Sequence, residues 1–183
     1  MNKMLSLPFT LLIFSVALFT AACSESSKGI PYAVEISEEG VGRIKADTPF
    51  NAAQITTLMP GFKVTPYTSF ISGNAHPVLH LSRAGRPVMT VMPAVGSTRI
   101  ESIAVHSPEI AVSNGARIGD RFDAIFQRND TCLMSEEGVL CRAPGSHHVH
   151  YLFTTPKIPD GNIPTYETLQ HASVHTIIWK SDA

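Results

Sequence analysis

Charge is scarce in this sequence. Only 16% of its 183 residues are charged, and 14 basic residues stand against 15 acidic ones. A balance this even makes no field of one sign, which argues against a surface built for nucleic acid or for anionic lipid headgroups. Catalytic signatures are missing as well. There is no G-x-S-x-G, and Gly40-Val41-Gly42 lacks both the third glycine of a dinucleotide fingerprint and a βαβ context, so it reads as a turn leading into a strand. Cysteines number three and none are spaced C-x-x-C, which removes the usual redox and zinc frameworks. Long apolar runs are confined to one place, Leu5 to Phe19.

That run is preceded by Lys3 and followed by Thr20-Ala21-Ala22-Cys23, the basic, apolar, small order of an export signal. A transmembrane helix needs about 20 mostly apolar residues, and here Pro8 and several Ser and Thr interrupt a shorter stretch. The cysteine directly after two alanines marks a lipoprotein, with its thiol as the atom that receives the diacylglycerol. Thr20 stands where such a lipobox usually carries Leu. Residues 1–22 are therefore expected to be a removed signal peptide, residues 23–30 a lipidated Cys23 with its tether, and residues 31–183 one globular domain. Each buried methylene adds about 0.8 kcal/mol, so a triacylated terminus with its palmitate is expected to hold the domain on the membrane permanently. Ser24, rather than Asp, points to the outer membrane facing the periplasm.

Lys3 is the only charge of the signal, which leaves 13 basic and 15 acidic residues in a mature chain long enough for a real core. If lipidation takes Cys23, the two cysteines that remain flank Glu136-Glu137-Gly138 at a separation of nine, in an oxidising compartment. Cys132 and Cys141 are expected to be bonded to each other, a closure worth roughly 2 to 3 kcal/mol in the chain-entropy picture.

Strand signals dominate the rest. Val78 to Met92 reads as a hairpin about Ala84-Gly85, with Pro87 near the start of its second arm, and Thr98–His106, His147–Thr154 and Ser173–Lys180 are further β-rich runs. Two short helices are expected at about 49–59 and 121–128. Thr48 caps the first with Pro49 at its first position, and Asp120 caps the second, with Phe122, Ile125 and Phe126 on one face. Acids at Asp120 and Asp123 then serve the helix dipole rather than paired catalysis. Asn114-Gly115 is a turn, and the Pro-rich segment from Thr155 to Tyr166 a long loop. Gly42-Arg43-Ile44 before the first helix is echoed by Ala116-Arg117-Ile118 before the second, a hint of two weakly similar halves. The fold expected is mainly β, with antiparallel sheets in a sandwich-like arrangement and a core led by Trp179, Tyr151 and Phe153.

Several pieces taken in order carry a resemblance across nearly all of the mature chain. They are Glu35-Ile36-Ser37-Glu38-Glu39-Gly40-Val41-Gly42, Ala116-Arg117-Ile118-Gly119-Asp120-Arg121-Phe122, the Cys132 and Cys141 pair, Ala143-Pro144-Gly145-Ser146-His147-His148, and Ile177-Ile178-Trp179-Lys180. Together they resemble the YfeY-like, RpoE-regulated envelope lipoproteins of Gram-negative bacteria, a family of unknown biochemical function. The resemblance implies a β-rich periplasmic fold and a link to envelope stress through the gene's regulation, with no catalytic or cofactor residues to carry over.

The densest chemistry is at His147, His148 and His150. On a strand His148 and His150 share one face, and with His175 from a neighbouring strand they could hold Zn or Cu; the rival reading is a polar strand face. Ser146 and His147, adjacent on a strand, aim to opposite faces, poor geometry for a nucleophile and its base, so Gly145-Ser146 is expected to be a turn. The reading reached is a lipid-anchored periplasmic lipoprotein with a non-catalytic binding or structural role, an unknown envelope protein as partner, and no cofactor beyond the lipid. A metal-binding periplasmic protein using the histidines is the alternative, and an envelope hydrolase the third.

Overall fold

A computed structural model describes residues 33–71, 73–129, 131–154 and 164–182. The expected signal peptide, the lipidated Cys23 with its tether, and most of the Pro-rich loop lie outside them.

The described chain is mainly β, with its strands in two sheets. A small one is made by β1 (Glu35–Ser37), β2 (Gly40–Val41), β3 (Ile44–Lys45) and β8 (Ala111–Val112), in the order β3-β2-β1-β8. A large one holds β4 (Lys63–Ile71), β5 (Asn74–Arg83), β6 (Arg86–Pro93), β7 (Ile100–Val105), β9 (Cys132–Ser135), β10 (Gly138–Arg142), β11 (Val149–Phe153) and β12 (Val174–Lys180). Its order, β4-β5-β6-β7-β12-β11-β10-β9, is two four-stranded meanders laid with their last strands together. Each meander follows a short helix, α1 (Ala52–Leu58) or α2 (Phe122–Ile125). This is the arrangement in two halves that the faint sequence echo anticipates. All pairings are antiparallel except β1 with β8.

Alternation along the strands sends Leu79, Leu81, Met89, Val91, Ile103, Val105, Tyr151, Phe153, Ile177 and Trp179 into one continuous core with Ile36, Val41 and Ile44 of the small sheet. Trp179, Tyr151 and Phe153 are at most 1% exposed, as expected of the leading core residues. Tight backbone contacts close the small sheet: a Cβ on Gly40 would lie 2.0 Å from the carbonyl oxygen of Ile44, so only glycine fits there.

The hairpin about Ala84-Gly85 forms as expected, with positive φ at both turn residues. Both helix starts differ from the sequence expectation, and for one reason. The hydroxyl of Thr48 accepts from Lys45 N–H at 2.9 Å, closing a turn, while Pro49 makes an isolated bridge to Arg99. Capping passes to Asn51, whose Oδ1 accepts from Ala53 and Gln54. Asp120 likewise accepts from Arg117 N–H at 2.7 Å, and α2 begins after Arg121 and stops at Phe126. A third helix, α3 (Tyr166–Leu169), capped by Thr165, was not anticipated; it follows the Pro-rich segment.

Candidate functional site

The element that sets this sheet apart is its first strand. β4 pairs with β5 over nine rungs without a bulge, Lys63 opposite Ser82 through Ile71 opposite Asn74. β5 meets β6 only from Leu79 onward, so among the described residues Asn74–Val78 has β4 on one side and no paired strand on the other. Past Val78, which is 1% exposed, the end of the hairpin thus stands clear as a two-stranded ribbon. Among the described residues β4 itself has no strand on its outer side. Ribbons of two strands are marginal in water unless something else buries them, yet this one shows Tyr67 at 60% and Phe70 at 74% exposure.

The direction of its backbone groups follows from the turn. Two residues separate Ile71 from Asn74, and such a hairpin closes on a hydrogen-bonded pair. Alternation then turns the N–H and C=O of Ser69, Tyr67 and Thr65 toward β5, and those of Phe70, Thr68, Pro66 and Val64 toward the open side. Pro66 has no N–H to offer, and an open edge is where a strand tolerates it. Edge strands are commonly guarded by lysine, proline, a bulge or shortness. From Tyr67 to Ile71 none of these guards is present.

At the base of the ribbon the outer face of the large sheet carries a line of imidazoles. The Tyr67 and His80 rings lie 5.1 Å apart. His80 Nδ1 is 3.2 Å from Thr90 Oγ1, which is 3.3 Å from His106 Nε2. Desolvation, and then the nearness of His175 and His80, push the pKa of His106 below the ordinary 6.5. Desolvation also lowers that of His150, against a hydrogen bond to the His148 carbonyl. The sign of the consequence is fixed by linkage. The unfolded chain takes protons that these folded imidazoles refuse, so stability falls as pH drops below about 6.5 toward the folded-state values. Urea midpoints are expected to fall between pH 7.5 and 5.5, and the slope to flatten in a His106→Gln, His150→Gln double variant. An unchanged slope would remove both residues from the account.

A second polar cluster joins the two sheets. Glu38, in the turn between β1 and β2, accepts from the Ser146 hydroxyl and from His147 N–H at 2.8 Å. Desolvation opposes its ionisation, but these two hydrogen bonds and the neighbouring histidines outweigh it and hold its pKa below the ordinary 4.5. That window lies under the histidine range, so the two effects separate. Ser146 Oγ also accepts from His148 and Val149 N–H, at 3.2 and 2.8 Å. A hydroxyl so committed caps a turn, as expected of Gly145-Ser146, and is not aimed at an imidazole.

The three histidines singled out as ligands are not brought together. β11 begins at Val149, so His148 is outside the strand and turns onto Trp179, ring centroids 6.0 Å apart, with Nδ1 donating to the Lys180 carbonyl at 2.7 Å. His150 sits opposite Ile178 on the outer face. β11 and β12 are neighbours, as the sequence reading required, but His175 falls at the register shift near Leu152 and lies toward His106. No group of three His, Cys, Asp or Glu placed to hold a metal occurs among the described residues. Cys132 and Cys141, directly opposed on β9 and β10, form the expected disulfide. Asp120 and Asp123 are occupied by Arg117 N–H and by the Arg121 guanidinium at 2.6 Å.

The ribbon was missed at the level of sequence. Its signal was present in Val64-Thr65, Tyr67-Thr68 and Phe70-Ile71, β-branched and aromatic residues before Ser72-Gly73-Asn74, with Pro66 reading as a break.

Comparison with known proteins gives this architecture relatives. A family model described as protein of unknown function (DUF1131) matches residues 25–181. The chain is 26% identical over 153 residues to a protein of Escherichia coli (strain K12) described as uncharacterized protein YfeY, covering 80% of this chain and 79% of that one. It is also similar to the crystal structure of the uncharacterized protein yfeY from Escherichia coli, with a TM-score of 0.68 at 26% identity, over 80% of this chain and 99% of the other.

Proposed function

We propose, from the premise that the chain belongs to the DUF1131 family of unknown function, that it is a lipid-anchored envelope protein whose domain binds a partner by strand addition and performs no covalent chemistry. One observation carries the binding half: an open, uncharged stretch of β4 on a protruding ribbon that exposes Tyr67 and Phe70. An added strand supplies the hydrogen bonds that the open edge lacks, and the exposed rings supply apolar contact. Support for the anchor is the basic, apolar, small order before Cys23, and Ser24 favours the outer membrane. Expression is expected to rise under envelope stress, following the family resemblance.

Two measurements in intact cells test the two halves. Alkyne-palmitate labelling is expected to mark the wild-type chain in the membrane fraction, and to vanish in Cys23→Ala with release of the protein. An unlabelled membrane-bound wild type ends the anchoring claim. A photo-crosslinking residue at Phe70 is expected to give a discrete product that the same residue at Leu133, exposed on β9, does not. Silence at Phe70 ends the strand-addition claim.

A further inference from the structure

We infer that the partner strand is β4 of a second copy, paired antiparallel about a two-fold axis at Ser69. This rests on the strand-addition reading above and names its partner.

Hydrogen-bond groups along the open edge of β4 select the register. Thr68 and Phe70 are the non-proline residues of the unguarded stretch whose N–H and C=O face outward. A two-fold axis at Ser69 sets Thr68 opposite the second copy's Phe70, and Phe70 opposite the second copy's Thr68. Each is a hydrogen-bonded pair that exchanges both bonds, so all four donors and all four acceptors are used. Moving the axis to Thr68 or Tyr67 draws Pro66 into the ladder, and its missing N–H leaves carbonyls of the other copy unmatched. The Ser69 register is therefore the one that pairs both Thr68 and Phe70 within β4 while staying clear of the proline.

Charge and shape agree with this. No charged side chain lies between Lys63 and Ile71, so self-pairing sets no like charges face to face. Phe70 against Thr68 joins an aromatic to a β-branched residue, a favourable cross-strand class. Self-pairing turns two marginal two-stranded ribbons into one four-stranded sheet, which gives each the further strands that a lone pair lacks.

The register makes a covalent test possible. Ser69 turns its backbone away from the open edge, so the two copies of Ser69 would form a non-hydrogen-bonded pair with Cα atoms about 4.5 Å apart, within disulfide reach. The chain already bonds such a directly opposed pair, Cys132 and Cys141, at a Cα separation of 4.0 Å. Full-length Ser69→Cys and Thr65→Cys variants would be oxidised mildly in their own membranes and run on non-reducing gels, with the wild type as the blank. Ser69→Cys is expected to give at least about fivefold more product of twice the monomer mass than Thr65→Cys. The latter is more open to solvent than Ser69 but eight residues out of register with its counterpart. Adding Thr68→Pro, which deletes one outward donor per copy, is expected to abolish that product while the monomer keeps its thermal melt. Equal products from both cysteines, or none from either, overturn the self-pairing. A Ser69→Cys adduct of another mass also overturns it, but leaves strand addition to a different protein standing. Absence of any product there together with silence at Phe70 removes both readings.

Discussion

Replacing Trp179 by alanine is expected to cost about 3 to 5 kcal/mol, the usual toll of emptying a buried aromatic site. That is a large share of the roughly 5 to 15 kcal/mol available to a domain. The site explains the size. Trp179 is 1% exposed, packs in the shared core, and donates its indole N–H to the Glu38 carbonyl at 3.0 Å. That single bond crosses from the large sheet to the turn between β1 and β2, and the His148 ring covers the indole. Trp179→Phe should keep most of the volume and lose the bond, a cost of about 1 to 2 kcal/mol. Urea denaturation followed by far-ultraviolet dichroism gives both values. Hydrogen exchange should show the alanine variant opening first in β1 to β3. A loss under about 1.5 kcal/mol in the alanine variant would mean that the small sheet is held by other contacts.

Phe122→Ala is expected to cost as much, about 3 to 5 kcal/mol, at the other end of the core. Its ring is fully buried, stacked on Phe126 at 4.8 Å, with the edges of Phe153 and Tyr166 at 5.2 and 5.7 Å. Through those contacts one side chain joins α2, α3 and β11. α2 is a single turn, too short to hold its shape alone, so its helicity depends on that packing. Phe122→Leu, which refills most of the space, is expected to recover more than half of the loss. Equal melting temperatures for Phe122→Ala and wild type would refute the view that this aromatic cluster organises the second half.

How much of this could be read beforehand depended on what each residue's role draws upon. Strands with clear alternation, such as those holding Tyr151 and Ile177, were legible because one buried face imposes a period of two. The cysteine pair was legible because few partners were possible. Helix starts were misplaced because Thr48 and Asp120 are good caps whose oxygens are taken by the amides of Lys45 and Arg117, contacts that no propensity encodes. The small sheet escaped notice because strands of two or three residues have no period to detect. For the histidines, alternation places His148 and His150 on one face only if the strand already includes residue 148. It begins one residue later, and the stacking on Trp179 takes His148 elsewhere. The edge strand is hard to read because Pro66 interrupts its β-rich run, and proline speaks against an interior strand but not an outer one. Openness is a property of the assembled sheet, so the feature with most to say about binding was the least visible in the chain.

The two meanders end side by side in the middle of the large sheet, which leaves their first strands as its opposite margins, and those margins are unlike. One is a nine-residue strand left unguarded from Tyr67 to Ile71; the other, β9, is four residues clasped by a disulfide. A plate that can be joined along one side only has no way to be tiled. Two such plates use up their joining sides on each other, and nothing is left to seed a fibre.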